Sequence, residues 1–288
     1  MGMEWIGWKM RAALIPAYNE ESRIAPVILK ARKHVDMVIV CDDGSSDMTS
    51  EVAKDLGAVV VRHERNMGYG AALRTLFLEA LRRNVDVAVT LDADGQHDPD
   101  FIPALIDPVE RGEADVVIGS RFVEGGGAPG MSFLRRLALR FLNRVGRRAV
   151  GLDIRDTQSG MRAYSKRALK VAADAMEKGM AVSYGILKEI AGAGLRVREV
   201  PITVSYGGAK PSKNPVLHFS ELIATLLRII LEERPLLYLG MPGAVLVIVG
   251  LFFGWWALDL YLSTKYFSIP MALISVGSSI AGFLLIIT

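Results

Sequence analysis

The sequence predicts an α/β chain, a mostly parallel sheet with helices on both faces, followed by a helical hairpin able to cross a bilayer. Three observations carry this. Short apolar runs alternate with helically patterned stretches, the signature of parallel sheets. Polar clusters follow directly on the apolar runs, at the strand ends where ligands of such sheets bind. Beyond residue 235 only Asp259 and Lys265 carry charge.

Strands are expected at Ala12–Pro16, Met37–Cys41, Val59–His63, Val85–Leu91, Val116–Gly119 and Val197–Val204, all short runs bounded by polar residues. Helices are expected at 21–33, 47–56, 69–83, 100–111, 165–177 and 183–193. The segment Met131–Val150 places Leu134, Leu137, Ala138, Phe141, Leu142 and Val145 at helical spacing, with Arg136, Arg140, Arg144, Arg147 and Arg148 on the opposite face and no acid. Val216–Glu233 repeats the pattern with Phe219, Ile223, Leu226 and Ile230. Both read as helices in the headgroup plane, the arginines of the first meeting anionic lipid; the alternative for the first is a core-packed helix with a solvated arginine face.

Leu236–Leu258 and Phe267–Thr288 are uncharged runs of 23 and 22 residues, each long enough to span a hydrocarbon core at 1.5 Å per residue. Trp255, Trp256, Tyr261 and Tyr266 gather near one end, as interfacial aromatics do. The second run reaches Thr288 without a polar tail, leaving room for further spans. The expected organisation is an extension over 1–10 of unassigned role, a catalytic domain over 11–212, a second interfacial helix over 213–234 and the hairpin over 235–288. The extension has neither a signal-length apolar run nor the Ser or Thr of a myristoylation site, Ile6 standing there.

A net charge of +3 in 288 residues gives no global field for nucleic acid. The single cysteine, Cys41, excludes an intrachain disulfide and a cysteine zinc site, and its place in an apolar run suits a buried residue.

Five clusters carry the chemistry. Pro16-Ala17-Tyr18-Asn19-Glu20 puts a ring and polar groups at a strand end where a base can lie. Asp42-Asp43 offers carboxylates to a base N–H or a ribose hydroxyl, with a capping turn as the alternative. Gly68-Tyr69-Gly70 opens a helix and suits close approach of backbone to a nucleotide. Leu73 in place of a third glycine argues against a dinucleotide site. Asp92-Ala93-Asp94 decides the reading. Residues two apart on an extended chain share one side, so the two carboxylates converge as hard donors suited to Mg²⁺ or Mn²⁺. His97, just beyond, reads as a turn histidine. Finally, Arg121 ends a strand, and Asp156 precedes Gly160 and Arg162; these face an acceptor or form a structural acid–arginine pair.

Together these motifs resemble the GT-A fold of family 2 inverting glycosyltransferases, over roughly Ala12 to Val204, and more narrowly the dolichyl-phosphate mannose synthases and polyprenyl-phosphate glucosyltransferases. The resemblance implies transfer of a hexose from GDP-mannose or UDP-glucose to a dolichyl or polyprenyl phosphate with inversion. It implies that Pro16, Tyr18, Asn19, Glu20, Cys41, Asp43 and Gly68 bind the nucleotide. Asp92, Ala93 and Asp94 would hold diphosphate and metal, with Gln96 as a further ligand. Arg121, Arg135 and Lys213 would grip the lipid phosphate. Upstream of Lys213 the synthases carry arginines, whereas this chain has Gly207, Gly208 and Ala209, with Lys210 as a substitute. A lipid phosphate is already ionised at neutral pH, so no base is needed; a hydroxyl acceptor would require Asp156 as one. The chain is expected in the membrane, multi-pass, with its catalytic domain on the cytoplasmic face; a homo-oligomer is compatible with the sequence. Two rivals are a processive or other-acceptor synthase, whose Gln-x-x-Arg-Trp motif is missing, and a non-catalytic membrane scaffold with a retained nucleotide-sugar fold.

Overall fold

A computed structural model describes residues 9–175, 182–206 and 240–287. The chain divides into two compact units, 1–212 and 213–288.

In the first unit the strands β1 (Arg11–Ala17), β2 (Met37–Asp42), β3 (Val59–Arg62), β4 (Val87–Thr90), β5 (Val116–Ser120), β6 (Arg162–Ser165) and β7 (Val197–Pro201) form one sheet in the order β3-β2-β1-β4-β6-β5-β7. All pairings are parallel except those of β6, which runs antiparallel to both β4 and β5. Each sheet face is buried under helices. On one, α3 (Tyr69–Arg82), α6 (Lys166–Asp174) and α7 (Val182–Gly192) pack through Leu76, Phe77, Leu169 and Leu187 against Leu14 and Ile39. On the other, α1 (Ile24–Ala31) and α4 (Ile102–Glu110) pack through Ile28 and Leu105 against Ile15 and Val89. Each fully buried Leu, Ile or Phe contributes about 1.5–3 kcal/mol. The remaining helix of this sheet region, α2 (Thr49–Asp55), links β2 to β3.

The fold follows the expected alternation, with one strand added. Arg162–Ser165 was read as the tail of a polar cluster and the start of a helix. It is β6, made a strand by pairing on both sides rather than by its own four residues. The consequence is functional. An antiparallel strand starts where its neighbours end, so the loop before β6 meets the loops after β4 and β5 at one edge of the sheet.

The arginine-rich helix α5 (Phe133–Val150) is capped by Ser132, whose side chain accepts from the Arg135 N–H, and ends on Gly151 at φ 73°. Its packed face comprises Leu139, Leu142, Asn143, Gly146 and Val150. Leu142 is therefore buried against the domain, while Leu137 is 55% exposed, next to exposed Arg136, Arg140 and Arg144. Gly146 faces Thr157, whose Oγ1 would lie 3.0 Å from an added Cβ. The helix expected at 216–233 lies outside the described residues.

In the second unit α8 (Met241–Thr264) and α9 (Ile269–Ile287) form an apolar antiparallel hairpin, a candidate transmembrane element. At 1.5 Å per residue they run about 36 and 28 Å. The first helix continues through Asp259 rather than ending at Leu258, and its C-cap is Lys265 at φ 57°. The helices touch through small residues. A Cβ on Gly282 would lie 2.6 Å from the Gly243 carbonyl oxygen, and one on Gly250 2.8 Å from that of Ser275, as in closely packed membrane helices. Large apolar side chains such as Ile248, Leu251 and Leu273 face outward. A cavity of about 650 Å³ between Gly254, Tyr261, Phe267 and Ser275 lies in this hairpin and contains none of the clusters that carry chemistry.

Candidate active site

A cavity of about 150 Å³ opens at the C-terminal ends of β1 and β2, lined by Pro16, Ala17, Tyr18, Asp43, Asn66, Gly68, Tyr69 and Ala72. Four of the residues expected to bind a nucleotide line it: Pro16, Tyr18, Asp43 and Gly68. Asp43 forms one wall because it is held there. Its Oδ1 accepts from His63 Nδ1 at 2.7 Å and from the Met67 N–H at 2.9 Å, and its Oδ2 from the Gly68 N–H at 2.8 Å. Gly68, at φ 92°, can turn its N–H to this carboxylate because it has no Cβ to clash.

Three expected nucleotide residues lie elsewhere. Cys41 is fully buried among apolar side chains and touches His63 Nε2 at 3.6 Å. The alternation of β2 turns it to the α3 side. Burial, followed by the charges of Asp43 and Asp42, pushes its thiol up to about 12. Asn19, at φ 54°, closes a turn: its N–H donates to Ser45 Oγ at 2.9 Å and its Oδ1 accepts from the Ser46 N–H at 2.9 Å. Glu20 pairs with Arg23 at 2.7 Å; burial raises its carboxyl, Arg23 opposes this, and the charge of Asp94 adds to the rise.

Beyond β4, Asp92 and Asp94 are both half-buried while Ala93 between them enters the core, so the expected alternation is present. Asp92 Oδ1 accepts from the Tyr69 hydroxyl at 3.3 Å, and Asp92 Oδ2 lies 3.3 Å from His97 Nδ1. Burial pushes the Asp92 carboxyl up, but His97, Tyr69 and the positive field of Arg121 outweigh it and hold it below the ordinary value. Asp94 moves the other way. Burial raises it, the Gln96 N–H opposes this at 2.9 Å from Oδ1, and the charge of Asp92 raises it again. Gln96 sits in this tight turn around Gly95, at φ 75°, with its carbonyl accepting from the Ser205 N–H at 3.3 Å. Gly160 leaves room beside the pair, since a Cβ there would lie 2.9 Å from Asp92 Oδ2. Among the described residues no group of three His, Cys, Asp or Glu side chains is placed to hold a metal ion.

At the same sheet edge Arg121 and Asp156 form a buried, two-pronged pair: Nε to Oδ2 and Nη2 to Oδ1, each 2.7 Å. The Arg121 N–H also donates to Oδ2 at 3.0 Å. Burial works against the Arg121 charge, and Asp156 more than offsets it, raising the guanidinium above its ordinary value. Asp156 is fully buried with both oxygens engaged by Arg121, the structural pair that was the alternative to facing an acceptor. The remaining Arg121 nitrogen, Nη1, donates to the Tyr206 hydroxyl at 2.5 Å, and the Arg135 guanidinium lies 4.5 Å over the Tyr206 ring. Arg135 has no acidic partner among the described residues. Lys213 lies outside them.

The sequence offers no signal for His63 or Tyr206 at this site, whereas Tyr69 and Arg162 lie inside noted clusters without a role of their own. Buried Arg162 donates to the carbonyls of Ser159 and Thr157 at 2.9 and 2.8 Å, and Asn143 of α5 accepts from the Thr157 N–H at 3.0 Å. These bonds shape the loop carrying Asp156 and Gly160. Tyr69 lies between the two glycines of a noted motif, and Arg162 ends the cluster that begins at Asp156.

Residues 12–172 match the family described as Glycosyl transferase family 2. A UDP-N-acetylglucosamine–dolichyl-phosphate N-acetylglucosaminyltransferase of Methanococcus voltae is 34% identical over 58% of this chain and 73% of its own. A polyprenol monophosphomannose synthase of Mycolicibacterium smegmatis is 34% identical over 66% of this chain and 75% of its own. The fold is also that of glucosyl-3-phosphoglycerate synthase from Mycobacterium tuberculosis, crystallised in complex with Mn²⁺, UDP and glucosyl-3-phosphoglycerate (TM-score 0.60, 24% identity, 78% of this chain and 80% of that one). With a GT-A sheet, strand-end clusters at one edge and a matched family over more than half its length, the chain belongs to glycosyl transferase family 2.

Proposed function

We propose that this glycosyltransferase moves a hexose from a nucleoside diphosphate sugar to a polyprenyl or dolichyl phosphate at a membrane, with inversion and with a divalent cation. One observation supports the reading, a run of contacts leading from the cavity to Arg135. Tyr69 lines the cavity and reaches Asp92, Asp92 feels the charge of Arg121, and Arg121 is joined through Tyr206 to Arg135.

In this reading the base enters the cavity beside Tyr18, Tyr69 and Asp43, and the diphosphate lies over Ala93. Asp92 and Asp94 hold Mg²⁺ or Mn²⁺, with Gln96 as a further oxygen donor. The donor set fits such an ion: two hard carboxylates, one of them raised by burial and its neighbour's charge, with space kept by Gly160. Two carboxylates leave positions for diphosphate oxygens and water, the usual habit of Mg²⁺ sites. When bound, the cation offsets the charge developing on the leaving diphosphate. The structural relative's complex with Mn²⁺ and UDP supports this assignment.

Arg135, without an acidic partner among the described residues, is the cation proposed to meet the acceptor phosphate, with Arg121 behind it. The acceptor oxygen is already ionised, since phosphate monoesters have a second pKa of about 6. Transfer then depends on positioning and needs no base, which agrees with an Asp156 wholly engaged by Arg121. A direct attack on the anomeric carbon inverts it. The names of the two sequence relatives support a lipid phosphate acceptor. We place the catalytic domain at 11–212 on the cytoplasmic face, a second interfacial helix at 213–234 and a multi-pass hairpin at 235–288. Exposed Phe133 and Leu137 beside arginines on α5 suit a headgroup contact.

The test is a donor screen with radiolabelled UDP-glucose, UDP-N-acetylglucosamine and GDP-mannose, a short polyprenyl phosphate, and Mn²⁺ present or chelated. The expected result is label entering the organic phase with one donor and only with metal. No transfer from any donor would overturn the reading.

A further inference from the structure

We infer that His97 is a positioning residue of this site, its imidazole holding Asp92 Oδ2 in place for the divalent cation. The inference rests on reading Asp92 and Asp94 as the cation-binding pair. His97 is 6% exposed and stands at the far end of the turn that follows Asp92. Its Nδ1 has no hydrogen-bond partner among the described residues, yet it lies 3.3 Å from Asp92 Oδ2. That separation is just beyond the usual N–H···O range. Buried polar atoms are almost always paired, so one left aimed at a carboxylate marks a contact that the fold prepares and does not complete. Contacts of this kind tighten when a site is loaded. An ionised carboxylate only accepts, so Nδ1 carries the hydrogen.

Two side chains approach the Asp92 carboxylate as donors, and only one of them is fixed. Tyr69 donates to Oδ1 at 3.3 Å, but it is 37% exposed and lines the cavity, in the path of an entering nucleotide. His97 is held by the main chain. It pairs antiparallel with Val204, and the Gln96 carbonyl beside it accepts from the Ser205 N–H at 3.3 Å. The Gln96 N–H donates to Asp94 Oδ1 at 2.9 Å. A single turn thus aims one N–H at each carboxylate, that of Gln96 at Asp94 and that of His97 at Asp92. Gly160 also borders Asp92 Oδ2, where a Cβ would lie 2.9 Å away. An oxygen with one fixed donor and a glycine beside it is held in direction and keeps lone pairs for a cation.

The test is titration of the full chain in detergent micelles with Mn²⁺, followed by the electron spin resonance of the free ion, alongside thermal melting with the metal chelated. His97→Asn puts an amide N–H at the place of Nδ1 and should bind Mn²⁺ within a few-fold of the unaltered chain. His97→Gln carries the same amide one carbon farther out and should bind on the order of 10–100-fold more weakly, the usual effect of losing a group that orients a metal ligand. With metal chelated the two variants should melt alike, since each buries one amide. Should His97→Gln fail to fold, His97→Leu fills the buried space without an N–H and should show the same weak binding. Equal Mn²⁺ affinity in His97→Asn and His97→Gln would overturn the inference while leaving the cation site intact. So would a loss in His97→Gln matched by a fall in its chelated melting temperature, or failure of both His97→Gln and His97→Leu to fold. An unaltered chain that binds no Mn²⁺ would overturn the inference and the cation site together.

Discussion

The chain carries two acidic turns, each at the end of a buried strand, and they are put to different uses. After β2, Asp42 and Asp43 are supplied mostly from within the protein. Asp42 accepts from the Ser45 N–H at 2.9 Å and from the Ser50 hydroxyl, with Arg62 at 3.4 Å. Asp43 takes three donors and ties the loop before α3 to the sheet. After β4, Asp92 and Asp94 are under-supplied: Asp94 has a single backbone N–H, and Asp92 a long tyrosine contact and a histidine edge. A carboxylate at a strand end is thus no evidence of function by itself. The number of internal donors separates a turn tied into the fold from one with acceptor capacity to spare, the pair proposed to take the cation.

The largest expected effect breaks the comparison at its open end. Asp94→Ala should lower transfer on the order of 10²–10³-fold, the usual loss on removing a transition-state electrostatic contact. Its melting temperature should stay unchanged or rise, because a carboxyl raised by burial is a liability to the empty fold. A parallel loss of stability would place Asp94 with the structural acids.

Asp42→Ala should do the opposite. Leaving the Ser45 N–H and Ser50 hydroxyl without their acceptor should cost about 1–3 kcal/mol of stability, read by denaturant unfolding, while activity per folded molecule falls by a few-fold at most. Full inactivation of a stable protein would move Asp42 into the site.

The smallest effect is in pH. Asp94, raised above its ordinary 3.8 in the fold, keeps its proton longer there than in the unfolded chain. Without metal its contribution to stability therefore grows as pH falls through the window between the ordinary and the raised value. Asp92, held low, has the opposite sign and loses stability as pH falls through the ordinary value. Mn²⁺ must displace the Asp94 proton, so its stabilising effect should fade on acidification sooner than for an unperturbed carboxylate. Asp94→Asn should remove that early fade in a thermal-shift series. An identical pH profile in this variant would show that Asp94 does not gate the metal.

Much of this was legible in one dimension. Six of the seven strands and the Asp-x-Asp spacing announce themselves through short-range patterns, because pleat and helix periodicity act on neighbouring residues. β6 did not, because Arg-Ala-Tyr-Ser has no strand pattern and is recruited by β4 and β5.

The sequence by itself determined the alternating elements, the apolar hairpin segments and the pairing of Asp92 with Asp94 on one side of a strand. Tertiary structure alone decided which acids were spent and which left open. Arg121 meets Asp156 across 35 positions and Tyr206 across 85, and His63 reaches Asp43 across 20. Such contacts depend on strand order and loop direction, and only the folded sheet specifies those.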